Sequence, residues 1–487
     1  MALNESGAGT GKTLKIESGN ITSVTYSETG AALVINNSPE IGTLTMNASS
    51  ETLTVNSSPV IGTLTMNAPE GTLTVNGTPK ISSISLSGTA SDKLTVKGEG
   101  VITSTQTVSS AGDYLYFEND SSPTVTGGNY FVIKNSTSSG TSLPDGWFLD
   151  DGFSFVWTGL SSWTDDFTEA GNWITGAPTL NDGTETVIVL GGTASNGSTR
   201  RNLTLPSDKK FNNLVISAEA EIDVASYTLS LNGNLENSGT ITIAEDGTLS
   251  FTGDGTTQTI SKPLRLTGNL NIASSAKLSA SSAVSILCTD FANAGTFSSA
   301  GALTVKGDFS EYGIYSGTGL ITLSGNAKQV LEVKDTTTYP EMVFANTGTD
   351  GVEFKNALIS DKITINCNFT FTDYSTVTSN KTFAIVQPVV ISGTTTLKSN
   401  TKIVSANTGT VDGGYALTLE APEIELPGLI GGTTKPASVS LTATSATTDT
   451  CKNSVSGGIS ATGDISFTGG LLLDGGAQVL SDSGDVS

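Results

Sequence analysis

Two acidic pairs, Asp150-Asp151 and Asp165-Asp166, lie among four closely spaced tryptophans, Trp147, Trp157, Trp163 and Trp173. Two carboxylates can serve as acid and base on a glycosidic bond, and an indole can form the floor on which a sugar ring stacks. Adjacent residues of a strand face opposite ways, so neither pair makes a site by itself. Solvated loops, with at most adventitious Ca2+, are the plainer expectation for these acids. The tryptophans keep two readings: a carbohydrate-binding platform, or the core of a junction module shared with Phe148, Phe153, Phe155 and Phe167. Large aromatics bury the most area per residue, so a core is the leading expectation.

Other chemistry is excluded or weakly signalled. The chain has no histidine, which rules out Ser-His-Asp and Cys-His catalysis and HExxH zinc sites. Residues 6–13, SGAGTGKT, imitate a phosphate-binding loop, but Ser6 replaces its first glycine. The next residues, Leu14-Lys15-Ile16, read as a strand where that motif needs a helix. Cys288, Cys367 and Cys451 are odd in number and far apart, which is neither a disulfide framework nor a metal-binding spacing. No catalytic residue, cofactor or metal ligand is expected. Outward Thr-x-Thr pairs raise the idea of ordered surface water, yet only two consecutive rungs carry the full pair on each face. Their neighbours are expected to offer Ser83 and Ser85, or Lys93 and Thr95.

The element that would position any of these groups is a repeat. Residues 36–55, NNSPEIGTLTMNASSETLTV, and 56–75, NSSPVIGTLTMNAPEGTLTV, agree at 15 of 20 positions. Thr63 to Asn67 and Thr72 to Asn76 alternate apolar and polar, the period of a half-buried strand. Leu64, Met66, Leu73 and Val75 should face inward and the intervening threonines outward. Columns recur once per repeat: Ile21, Ile41, Ile61 and Ile81; Val24, Leu44, Leu64 and Ile84; Leu33, Leu53 and Leu73; Ile35, Val55 and Val75. Turn residues recur too, as Pro39, Pro59 and Pro79, and as Asn36, Asn56 and Asn76, with Asn47 and Asn67. A hairpin sandwich would not require that; a solenoid would, because each rung buries its apolar side only against its neighbours. Slips of register are expected near Leu14 and Leu94.

The fold class implied is all-β, a right-handed parallel β-helix of about 20-residue rungs, with an aromatic-rich β module. Its expected organisation is a regular solenoid over 1–105, a transitional and Trp-rich segment over 106–186, and an irregular parallel β-helix over 187–487. In that last region strands lie roughly 8 to 12 residues apart, a spacing that also suits a sandwich. Formal charge is −23 with only three arginines, Arg200, Arg201 and Arg265, so the basic stripe needed for nucleic acid is missing. No secretory leader is visible, and no apolar run approaches the ~20 residues of a spanning helix. The rung-like character of the last residues suggests a piece of a larger chain.

Trp157-Thr158-Gly159, Trp163, Asn172-Trp173 and Gly176-Ala177-Pro178, and after them Leu229, Asn232-Gly233-Asn234-Leu235 and Asn237-Ser238-Gly239-Thr240-Ile241, carry a resemblance. They are similar to the passenger regions of bacterial autotransporters and to filamentous-haemagglutinin-like surface proteins. The resemblance implies a secreted or surface-displayed β-helix used in adhesion and transfers no catalytic residue. The expectation is therefore a non-enzymatic extracellular or cell-surface protein whose partners are host or matrix proteins, glycans, or copies of itself. Nucleic acid and direct membrane insertion are not expected. The alternatives are a filament or surface layer built by end-to-end stacking, and a β-helix that binds or cleaves carbohydrate.

Overall fold

The computed structural model describes residues 2–5, 11–105, 108–118, 122–126, 131–139, 143–144, 146–149, 154–160, 166–173, 178, 181–192, 199–260, 262–281, 284–334, 337–444 and 453–487. Among them every pair of strands is parallel, and their stacking forms a β-solenoid of about 21 turns, with roughly 20-residue rungs. A single antiparallel bridge, Trp157 to Trp173, and one 3-10 turn, Ala170–Asn172, are the exceptions. The sandwich alternative is thereby excluded. The chain divides into two compact units. One comprises Met1–Leu180, Glu185–Thr204 and Ile216–Glu221; the other comprises Asn181–Thr184, Leu205–Val215 and Ile222–Ser487.

In the first unit, strands Asn20–Tyr26, Glu40–Met46, Val60–Asn67 and Lys80–Ser87 stack in a ten-stranded sheet. Thr13–Ile16, Ala32–Ile35, Thr52–Val55, Thr72–Val75 and Leu94–Lys97 stack in a seven-stranded one. Register follows the repeat: Ile41 lies on Ile61, Leu44 on Leu64, Met46 on Met66 and Leu53 on Leu73. All of these are buried, and Thr63, Thr65, Thr72 and Thr74 face outward. Ile41 and Leu44 both point in although Gly42 and Thr43 separate them, so the long strand bends and each rung gains a third face. Five or so aliphatics per rung, worth roughly 1.5–3 kcal/mol each when fully buried, have only the adjacent rungs to pack against.

Both expected slips occur. Leu14 pairs with Leu33, a step shorter than the repeat, and Leu73 pairs with Val96, a step longer than it. The second corrects one expectation: Thr95 and Lys97, not Lys93 and Thr95, lie over Thr72 and Thr74. The cause is the turn at 88–92, where the Asp92 amide donates to Thr89 Oγ1 at 3.1 Å and the Thr89 amide to the Asp92 carbonyl at 2.9 Å. That turn absorbs the additional residues without breaking the stack. The same two sheets continue beyond residue 105, through Val108–Asp113, Leu115–Phe117, Phe131–Lys134 and Trp147–Leu149.

In the second unit each rung has three strands on three faces. One eleven-stranded sheet runs from Lys209–Phe211 to Val411–Asp412, another from Leu264–Arg265 to Leu471–Leu473. The third face carries Thr257–Ile260, Lys277–Ala280, Thr296–Ser299 and Ile314–Tyr315, and then a seven-stranded sheet from Thr338–Tyr339 to Ile465–Thr468. The step from rung to rung is uneven: Ile286 lies on Leu303, Ile321 on Met342 and Ile424 on Asn453, each a longer step than the one before. That unevenness is why no fixed period shows in the sequence. The core here is aromatic. Phe291, Phe297 and Phe309 pack with ring centroids 5.2–5.3 Å apart, and Phe344, Phe369 and Phe371 at 4.8 Å.

Candidate functional site

The structure places three of the four tryptophans in the interior. Trp147, Trp157 and Trp173 are 2, 0 and 5% exposed. Each indole N–H is given to a main-chain carbonyl: Trp147 to Pro123 at 2.8 Å, Trp157 to Arg201 at 2.9 Å, Trp173 to Phe167 at 2.7 Å. Such a donor must be satisfied once the ring leaves water. Trp147 packs edge-on against Phe117 and Phe131, both with centroids at 5.1 Å, and so belongs to the stacked sheets. Trp157, Trp173 and Phe167 form a second cluster at 5.2 Å spacing. Trp163 lies outside the described residues, as do Asp150, Asp151, Asp165 and Cys451.

Asp166 is exposed and closes its own turn, accepting from the Thr168 amide and hydroxyl, both at 2.8 Å. Those bonds hold its carboxyl below the usual range. Asp182 and Asp254 repeat the arrangement with Thr184 and Thr256, so this Asp-x-Thr element is turn chemistry. Among the described residues no group of three Cys, Asp or Glu side chains is placed to hold a metal ion. Cys288 is fully buried and desolvation pushes its thiol up; Cys367, nearly as buried, is pushed up to about 11.

Two polar features were not legible in the sequence. The first is interior. Glu311 is completely buried, accepts from Asn293 Nδ2 at 2.8 and 3.0 Å and from the Gly313 amide at 2.9 Å, and burial pushes its carboxyl up to about 7. Lys334, whose ammonium donates to the Gly313 carbonyl at 3.3 Å, partly offsets that rise, and the Tyr315 ring lies beside it. The second is exterior: Tyr312, Tyr374 and Tyr415 are 58, 84 and 48% exposed. Two shallow grooves accompany them in the second unit. One, of about 460 Å³, is bordered by Lys328, Asp350, Glu353, Pro388 and Val390; the other, of about 290 Å³, by Pro340, Glu341, Asp361, Lys362 and Lys381. In each, one cation is already paired with a carboxylate, Lys328 with Glu353 and Lys362 with Glu341 at 2.7 Å.

Outside, polar ladders run from rung to rung. Asn76 donates to Asn56 at 2.9 Å, Asn56 to Asn36 at 3.1 Å and Asn36 to Glu17 at 3.0 Å. A second series joins Ser87 to Asn67 at 2.7 Å and Asn67 to Asn47 at 3.3 Å. The stacked asparagines expected from the repeat therefore do bond along the stack. Comparison with protein-family models, curated proteins and solved structures finds no match to this chain.

Proposed function

We propose that this chain is a non-enzymatic structural and adhesive protein, displayed outside a cell of bacterial type, whose working part is the repeating polar exterior of its solenoid. The observation that carries the reading is the ladder system: Asn36, Asn56 and Asn76 present the same amide on three successive rungs, and two of those rungs also carry the full outward threonine pairs. An array of this kind binds through many weak, equally spaced contacts, and its affinity grows with the number engaged. The acidic balance, −23 over 487 residues, keeps such a β-rich surface soluble. A panel of immobilised matrix proteins, glycans and whole cells, probed with the purified chain on beads, tests the reading. Retention on at least one surface, increasing with bead density, is expected; no retention on any of them overturns it.

One observation favours assembly as a second reading. Leu473 lies on Val455 and faces inward, yet it is 45% exposed whereas Val455 is buried. Leu472, Leu480 and Val486, at 47, 51 and 52%, lie on the same last rungs. Unpaired backbone beside uncovered apolar side chains is a template for another strand, and in a preparation of these 487 residues a second copy is the occupant this reading names. Light scattering over a concentration series decides it, since a mass that never rises removes the reading.

A further inference from the structure

The tyrosines of the second unit divide by environment. Tyr315 and Tyr339 lie in the core, with ring centroids 5.6 Å apart. Tyr312, Tyr374 and Tyr415 stand outside, and Tyr227, 38% exposed, sits at a different corner. The three outer rings share one corner. Each comes one to three residues after a strand of the same eleven-stranded sheet, namely Phe309–Glu311, Phe369–Thr372 or Val411–Asp412. Each precedes a strand of the next face, namely Ile314–Tyr315, Ser375–Ser379 or Ala416–Ala421. Three strand steps separate the first two rings and two steps the last two, about 14 and about 10 Å along the stack at ~4.8 Å per step.

The rung between Tyr374 and Tyr415 passes this corner as Ser392-Gly393-Thr394. A Cβ on Gly393 would come within 1.7 Å of the Asp373 carbonyl oxygen, so the backbones touch and no side chain fits there. The result is a low step of small residues with an exposed ring on either side. Tyr374, at 84% exposure, contributes almost nothing to folding, because a ring left in water gains no transfer energy. Its exposed surroundings are hydrogen-bonding groups, Asp373 and Ser392. Around Tyr312 charge is balanced: its hydroxyl donates to Glu332, which also pairs with Lys355 at 2.9 Å.

We propose that the corner bearing Tyr312, Tyr374 and Tyr415 is a binding track for a neutral polysaccharide. Sugar faces stack on Tyr374 and Tyr415, and hydroxyls bond to Asp373 beside the first ring and to Ser392 and Thr394 in the step between the two. The two-step interval matches the scale of a disaccharide. Net charge selects the class, since a chain at −23 repels anionic glycans and nucleic acid alike. This inference rests on the adhesive reading and names its partner.

The test is affinity measurement with hydroxyethylcellulose, dextran, galactomannan and, as an anionic probe, heparin. Binding to at least one neutral polymer and none to heparin is expected. The Tyr374→Ala/Tyr415→Ala variant should lose about tenfold in affinity per ring removed, with unchanged circular dichroism. Tyr227→Ala should bind like the parent chain. The proposal is overturned if no neutral polymer binds, if heparin binds best, or if the double variant binds undiminished. The bead assay separates the two claims: retention on a neutral polysaccharide that survives the double substitution sinks the tyrosine track alone, and absence of adhesion to every surface sinks the adhesive reading with it.

Discussion

Glu311 is the residue whose burial has the clearest consequence. Its carboxyl titrates near 7 in the folded chain because desolvation outweighs the bonds from Asn293 and Gly313, and near 4.3 once unfolded. Between those values the folded state holds a proton that the unfolded chain has released. Stability therefore falls as pH rises from about 4.5 to 7, by on the order of 3 kcal/mol for this group. Thermal melts from pH 5 to 8 should show that decline, and Glu311→Gln should flatten it and melt higher than the parent at pH 8. Gln329 makes the complementary point. It is fully buried, donates to the Val305 and Gly307 carbonyls, and accepts from the Gly325 amide at 2.9 Å and from Asn346 Nδ2 at 2.8 Å. Gln329→Leu would keep the volume but take away the partner that Gln329 gives the Gly307 carbonyl and the Gly325 amide, while the Val305 carbonyl keeps the Ser324 amide and Asn346 Nδ2 keeps the Ala327 carbonyl, so a loss of about 2–4 kcal/mol in urea melts is expected. Cys288 is sealed in the same core, and alkylation by iodoacetamide, mapped by mass spectrometry, should reach it only after denaturation.

Strands and rungs were the scale at which the sequence spoke most directly. The columns through Ile41, Leu44, Leu53 and Val55 became vertical stacks because a step of one repeat returns each side chain to the same place on the next rung. Leu64→Ala should accordingly cost about 2–5 kcal/mol, and hydrogen exchange should show the loss concentrated in the adjacent rungs, since a solenoid is coupled mainly to nearest neighbours. The second unit hid its period because its uneven steps, short from Ile286 to Leu303 and long from Ile424 to Asn453, place the variation in corners, where side chains carry no alternation to read. The tryptophan cluster showed its composition but not its orientation. Whether Trp157 is floor or core depends on the carbonyl of a residue as distant in the chain as Arg201, which receives its N–H. Tyr374 gave no signal at all, because nothing in a Thr-Asp-Tyr-Ser sequence distinguishes a ring outside the corner from one inside it.

At the scale of the molecule, the prediction concerns the uncovered rungs that carry Leu472, Leu473 and Leu480. If copies stack there, Leu473→Lys/Leu480→Lys should hold the chain monomeric at concentrations where the parent scatters as larger species, with no change in secondary structure. The two units should also respond separately to damage: Leu64→Ala should leave the pH dependence set by Glu311 unchanged, since the two residues lie in different units. The long rung from Ile424 to Asn453 has a further meaning. The rungs on either side close sooner, Lys402 meeting Glu423 and Asn453 meeting Leu471, yet across the long one Val439 still meets Ile465 and Leu441 still meets Phe467. The register of a strand is set by the strand beneath it rather than by the length of chain that leads there. Corners are thus places where foreign peptide can be spliced in while every rung above and below keeps its address, which makes the fold a natural display frame for grafted epitopes and a forgiving one for genes that grow by duplication.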